Sequence, residues 1–270
     1  MLWAASKPRT SMGHDPGMPM IFAATFFSRL RLLAATALAW AALTPAAMAA
    51  APFEDTIAQR SMACTACHGA QGRAGPDGYY PRLAGKPAAY LYKQLLNFRD
   101  GRRHYGLMTQ LVEPLSDAYL MEIAQYFSGL QLPYPAPLPP TVPAGVLRQG
   151  RQLVLQGDAA RRVPACVSCH GQGMTGVLPD TPGLLGLPRD YLNAQLGAWK
   201  TGQRRGQAPD CMKEVVDRLS LDDINAAASW LAAQPLPANT RPAASRPAPA
   251  AGAVAIPCAG AAPSALKAKP

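Results

Sequence analysis

The chain carries its own outline twice, and that duplication limits what it can fold into more than any other feature. Cys64-Thr65-Ala66-Cys67-His68-Gly69 returns as Cys166-Val167-Ser168-Cys169-His170-Gly171, offset by 102 residues. The pattern Pro81-x-Leu83-x-Gly85-x-Pro87-x-x-Tyr90-Leu91-x-x-Gln94-Leu95 returns from Pro182 to Leu196, and Phe98 and Gly101 return as Trp199 and Gly202, all offset by 101. Met108, Leu115-Ser116 and Tyr126 return as Met212, Leu219-Ser220 and Trp230, offset by 104. Drifts this small place short insertions in loops, so the chain is a duplicated domain.

Each copy reads as helical. Tyr90, Leu91, Gln94, Leu95 and Phe98 share one face of a helix expected over 88–99. Ser116 and Asp117 are N-cap candidates for a closing helix carrying Tyr119, Leu120, Ile123 and Tyr126-Phe127. Ser220 with Asp222-Asp223 does the same for Ile224, Ala227 and Trp230-Leu231. Tyr126 and Trp230 are expected to pack the last helix of each copy across the first. The 28 prolines punctuate rather than build. Pro133 to Pro140 cannot continue a helix and reads as an extended connector. The expected organisation is a first domain at 52–132, a Pro-rich linker at 133–143, a second domain at 144–235 and a tail at 236–270. The tail is rich in proline and alanine, has little to bury and is expected to be mostly disordered.

Cys-x-x-Cys-His places two thiols one helical turn apart beside an imidazole, the attachment signature of c-type haem. Cys64 and Cys67, and Cys166 and Cys169, would form thioethers, with His68 and His170 as proximal iron ligands. A zinc site would need further ligands at matching spacing, and of the four histidines the spare two, His14 and His104, are badly placed. A thioredoxin-like thiol pair needs a βαβ setting that the pattern lacks. Methionine opposite histidine raises a haem's potential and closes the iron to substrates. Met108 and Met212 are the expected sixth ligands, because each precedes the Leu-Ser of the closing helix by the same interval. His104 competes in the first copy but has no counterpart in the second. Met62, Met121 and Met174 read as core packing. Pro81 and Pro182 are expected to shape the loop beside the proximal histidine. Tyr90, Tyr191, Arg82 and Arg103 are candidates for contact with haem propionates, or for ordinary core and surface roles. Cys211 and Cys258 remain, either free or bonded to each other; a bond would pin the tail beside Met212, but spacing alone does not establish connectivity.

Arg29 and Arg31, the apolar run Leu32 to Leu43 and Ala47-Met48-Ala49 have the build of a cleavable export signal. The run is shorter than the roughly 20 residues a membrane span takes. Residues 1–49 are therefore read as a signal peptide with an over-extended start, Met18 or Met20 being the more natural first residue, and the mature protein is expected in the periplasm. The formal charge of +10 is spread over pairs such as Arg102-Arg103, Arg161-Arg162 and Arg204-Arg205, with no compact basic run. That pattern suits solubility and steering of an acidic protein partner and speaks against nucleic acid.

The order Cys-x-x-Cys-His-Gly, Pro-x-Leu-Ala-Gly, Tyr-x-x-x-Gln-Leu-x-x-Phe-x-x-Gly-x-Arg, Met and a closing helix, over residues 52–235, resembles the cytochrome c4 family of dihaem class I cytochromes. The resemblance implies an all-α fold of two tandem cytochrome c domains, with propionates near their interface. It also implies two covalently attached haem c groups, held by Cys64, Cys67, His68 and Met108 and by Cys166, Cys169, His170 and Met212. The function it implies is single-electron transfer in the periplasm rather than enzymatic turnover. Partners would be redox proteins: an oxidase, a dehydrogenase or a bc1-type donor, engaged by transient docking at a membrane complex, with the carrier a monomer or weak oligomer. The second copy departs from the pattern at Leu185, where the first has Ala84, and its stretch before Met212 is three residues longer. The cysteine-bearing tail lies outside the family pattern. A dihaem peroxidase, with one displaceable methionine, and a subunit of a dehydrogenase or oxidase complex, with the tail as docking segment, are the competing readings.

Overall fold

Local capping signals set where the helices begin, and the computed structural model describes residues 54–75, 78–248 and 254–259. The expected export signal at 1–49 lies outside the described residues. In the first copy, α1 (Ile57–Arg60) starts at Thr56, whose hydroxyl accepts from Gln59 N. α2 (Met62–His68) carries the first Cys-x-x-Cys-His and stops at Gly69. Gly69 has φ +73°, and a Cβ there would lie 2.3 Å from Ala74 O, so no other residue turns the chain so closely. α3 (Ala88–Arg99) follows Pro87, α4 (Gly106–Val112) carries Met108, and α5 (Asp117–Gly129) closes the copy. The hydroxyl of Ser116 caps α5 by accepting from Tyr119 N at 3.3 Å.

The second copy repeats the plan with α6 (Ala144–Leu155), α7 (Val167–His170), α8 (Arg189–Lys200), α9 (Cys211–Asp217) and α10 (Leu221–Ala232). Ser220 and Asp223 form a reciprocal capping box at the start of α10. Among the described residues a two-residue hairpin, β1 (Gly176–Val177) antiparallel to β2 (Thr181–Pro182), interrupts the helical pattern. Among the described residues no helix is long and apolar enough to cross a membrane.

Each core sits where the closing helix crosses the other helices. In the first copy Leu91, Ile123, Ala124 and Phe127 form one buried cluster, with Tyr126 and Ile57 packed on it, and Phe98, Val112 and Leu120 form a second. In the second copy α6 and α10 approach so closely that a Cβ on Gly150 would lie 2.1 Å from Ala226 O and 2.8 Å from Trp230 Cβ. Met174 and Met121 are buried, as core methionines should be, whereas Met62 is 61 % exposed and packs in no core.

The connector after α5 is fixed by one side chain. Arg82 is buried and donates to the carbonyls of Ala84, Leu132 and Pro133, with its guanidinium 3.8 Å from the Tyr134 ring centroid. Tyr134 in turn packs on Gly186 of the second copy, where a Cβ would lie 2.4 Å from its ring. The tail differs from what its composition suggests over the described residues 236–248 and 254–259. Ala243 pairs in parallel with Val177, Ala259 N donates to Pro209 O at 2.9 Å, and Cys258 is bonded to Cys211. Main-chain bonds and a covalent link need no large apolar side chain, which is why composition does not reveal this docking.

Candidate functional site

The proximal halves of the two sites match closely. His68 Nδ1 donates to Pro81 O at 2.8 Å, and His170 Nδ1 donates to Pro182 O at 2.7 Å. A carbonyl can only accept, so the proton sits on Nδ1 and Nε2 keeps the lone pair that a metal takes. The prolines thus act through their carbonyls as orienters of the imidazoles. Both rings are buried. Burial pushes both imidazoles below their ordinary pKa against the upward pull of the carbonyl bond; Arg103 adds to the lowering for His68, and Arg246 and Lys86 for His170. Both imidazoles are thus neutral near pH 7.

The first thiol of each Cys-x-x-Cys pair is disfavoured as a thiolate. Burial pushes the Cys166 thiol up to about 12 and raises Cys64 as well. Thiols held protonated are poor redox nucleophiles. Among the described residues no three His, Cys, Asp or Glu side chains cluster, so neither Cys pair has the further ligands of a zinc site.

In the second copy Cys166, Cys169, His170 and Met212 line one cavity of about 260 Å³. Its walls are largely apolar, with Leu184, Leu192, Leu196, Leu219 and Leu231 among them. Met212 reaches it from the first turn of α9, which Asp210 fixes by accepting from Gly206 N, Lys213 N and Trp199 Nε1. In the first copy Met108 is half-buried against the Phe98, Val112 and Leu120 cluster, and Thr109 Oγ1 ties α4 to Phe98 O at 3.1 Å. The His104 side chain is exposed, while its backbone N donates to Gln203 O at 2.8 Å.

The copies meet around a near-twofold cluster that includes the rim of this cavity. Arg103 and Arg204 pair as an isolated antiparallel bridge. Arg103 donates to Gln94 Oε1 at 3.1 Å, to Gln195 Oε1 and to Tyr191 OH; Arg204 donates to Gln195 Oε1 at 2.8 Å, Gln94 Oε1 at 3.0 Å and Tyr90 OH at 3.4 Å. Each guanidinium also lies over an aromatic ring, Arg103 over Phe98 and Arg204 over Trp199. Arg103, Arg204 and Lys86 are all buried, 9 %, 4 % and 8 % exposed. Desolvation lowers the pKa of Arg204 and Lys86, and neighbouring cations lower both further. Among the described residues the hydrogen-bond acceptors of the two arginines are amides and phenols, none a carboxylate. Buried cations without an anion are costly. An apolar cavity with two thiols, an imidazole and a thioether on its walls and cations at its rim therefore fits a haem c, whose carboxylates Arg204 and Lys86 could hold.

The sequence marked Arg103, Tyr90 and Tyr191 as candidates but not Gln94, Gln195, Arg204 or Asp210 as partners. The repeated Gly-x-Arg (Gly101-x-Arg103 and Gly202-x-Arg204) and the repeated glutamine were the available signal. Which face met which copy was not written in either repeat.

No protein-family model matches the chain. It is 43 % identical over 201 residues to the thiosulfate dehydrogenase electron acceptor of Thiomonas intermedia, covering 74 % of this chain and 88 % of that protein. It is 33 % identical over 174 residues to a cytochrome c4 of Pseudomonas aeruginosa, covering 64 % and 84 %. Among solved structures, reduced recombinant cytochrome c4 from Pseudomonas stutzeri superposes with a TM-score of 0.57 at 31 % identity, covering 65 % of this chain and 95 % of that one.

Proposed function

The chain belongs to the cytochrome c4 family of dihaem electron-transfer proteins, and from that premise we propose that it accepts electrons from a thiosulfate dehydrogenase in the periplasm. In this reading Cys64, Cys67, His68 and Met108 hold the first haem, and Cys166, Cys169, His170 and Met212 the second. The observation that carries it is the second cavity, where Cys166, Cys169, His170, Met212 and the buried cations of the rim converge. The haems, when bound, supply the one-electron chemistry. The protein's residues do the rest: the Pro81 and Pro182 carbonyls fix the tautomer and ring orientation of the histidines, and leucines exclude water. Arg103, Arg204 and Lys86 supply positive charge where the two copies meet, suited to holding carboxylates there. The two relatives named as thiosulfate dehydrogenase electron acceptors, at 43 % and 36 % identity, favour a dehydrogenase donor over the other partners the family resemblance allows. Export to an oxidising compartment is supported by the Cys211–Cys258 bond and by the apolar run at 32–43.

The test is stopped-flow reduction of the oxidised holoprotein by thiosulfate with a purified thiosulfate dehydrogenase, alongside haem content by pyridine haemochrome. Two covalent haems, both showing the long-wavelength absorption of Met–iron coordination and both reduced only when the dehydrogenase is present, are expected. The chain stays net positive without residues 1–49, so against an acidic face on the dehydrogenase the second-order rate should fall as salt rises, as steered encounters do. A high-spin haem lacking that absorption would overturn the methionine ligation, and no reduction by the dehydrogenase would overturn the donor.

A further inference from the structure

The two copies share a sequence pattern but differ in what covers them. Leu107, next to Met108, is 61 % exposed, while its counterpart next to Met212 is Cys211, bonded to Cys258 of the tail. From α10 the tail returns along the hairpin. Arg241 O accepts from Thr175 Oγ1 at 3.0 Å, Ala243 exchanges bonds with Gly176 O and Leu178 N at 2.9 and 2.8 Å, and Arg246 donates to Thr181 Oγ1. Beyond, Val254, Ile256 and Cys258 are half-buried and line the same cavity as His170 and Met212, while Ala255 and Pro257 between them face solvent. That is the period-two alternation of an extended segment laid over a pocket, apolar side inward. Its far end is pinned by Ala259, whose N donates to Pro209 O and whose O accepts from Lys93 Nζ at 3.2 Å; Lys93 also pairs with Asp180 at 2.7 Å.

We propose that residues 241–248 and 254–259 are a disulfide-latched cover on the second pocket, with Ile256 and Cys258 as positioning residues that keep water and small foreign ligands away from Met212. The proposal rests on the haem reading of that pocket. Cover and ligand are mechanically linked, because the latch is fastened to the residue before Met212. A ligand competing with Met212 binds only in the fraction of molecules whose cover is open, so its apparent affinity falls by that fraction. An apolar cover also disfavours the more highly charged oxidised iron, so its loss lowers the potential of that haem.

The test compares the full-length oxidised holoprotein with Cys258→Ala and with a chain ending at Thr240, using imidazole as the competing ligand. Loss of Met–iron absorption and the two midpoint potentials are recorded, with the second-copy signal identified by its absence in Met212→Leu. Both variants should take imidazole at the second copy at least about tenfold more tightly, the open fraction having risen toward one. The second-copy potential should fall while first-copy affinity and potential stay unchanged. Unchanged imidazole affinity and potentials in variants that retain two Met-ligated haems would overturn the cover. Should Cys258→Ala fail to mature, the chain ending at Thr240 carries the same comparison. A parent protein without a Met-ligated second haem would instead defeat the ligation reading, and the cover with it.

Discussion

At the residue scale the most heavily engaged carboxylate is Asp223. Its oxygens accept from Arg161, from Gln149 Nε2 at 2.9 Å and from Ser220 N at 2.9 Å. Burial alone would raise its pKa, but those donors outweigh it and hold the carboxyl well below the usual carboxylate range. A depressed folded pKa means stabilisation that is complete above the unfolded value of about 3.9 and is lost as pH falls through the folded value. Asp223→Asn should therefore lower stability at pH 7 by about 2 kcal/mol, through the lost cap and the charge-assisted bonds. The gap to the parent should begin to narrow below about pH 4, where the unfolded chain takes up the proton while the folded carboxylate still resists it. Urea unfolding of the two holoproteins at several pH values measures both. An equal gap at pH 3 and pH 7 would show that the carboxylate's charge contributes nothing.

At the element scale the tightest constraint is the crossing of α6 and α10 at Gly150. Alanine there gains up to about 1 kcal/mol of helix propensity. Its Cβ would meet the Ala226 carbonyl at 2.1 Å, however, and a backbone atom in a packed helix yields only if the helices part. Overpacking of this kind costs about 1–3 kcal/mol. Gly150→Ala should accordingly destabilise by about 1–2 kcal/mol net. Gly197→Ala in α8, where a Cβ meets nothing within 4 Å, should be neutral or stabilise by a few tenths to about 1 kcal/mol. Thermal unfolding of both holoproteins decides it, and equal melting temperatures would sink the account. The elements themselves were largely legible in the sequence. Tyr90, Leu91, Leu95 and Phe98 mark α3 by their spacing, and Ser116 and Ser220 mark the starts of α5 and α10, because these signals act within one turn of helix. The hairpin was not legible, since two-residue strands leave no alternation to read. Nor was the docked tail, whose anchors at Ala243 and Ala259 are main-chain atoms that any residue carries. Met62 looked like core because sequence does not say which side of α2 faces inward.

At the scale of the whole molecule, coupling between the copies runs through Arg103, Arg204, Gln94 and Gln195. Arg204→Met removes the shared donor and leaves both glutamine oxygens with Arg103 alone. Lysine is no conservative substitute, since a point charge does not reproduce the planar guanidinium that bonds both glutamines and lies over Trp199. Calorimetry of the holoprotein should show one cooperative transition in the parent and two separated transitions in Arg204→Met, with Arg204→Lys intermediate. A single transition in the methionine variant would mean that the linker and the Tyr134 contact suffice to couple the copies.

The arginine–glutamine cluster is self-complementary: what the first copy offers the second, the second offers back in nearly the same geometry. A surface of that kind is the contact by which identical subunits make a closed pair, needing no asymmetric lock and key. Two separate copies bearing the same glutamine, tyrosine and arginine would present matching faces to each other. Joining them through the proline-rich segment makes that encounter intramolecular, so it no longer depends on concentration. Because the halves share one chain, each can carry a feature of its own, and a bonded cysteine beside one methionine is a difference that two identical subunits could not carry singly.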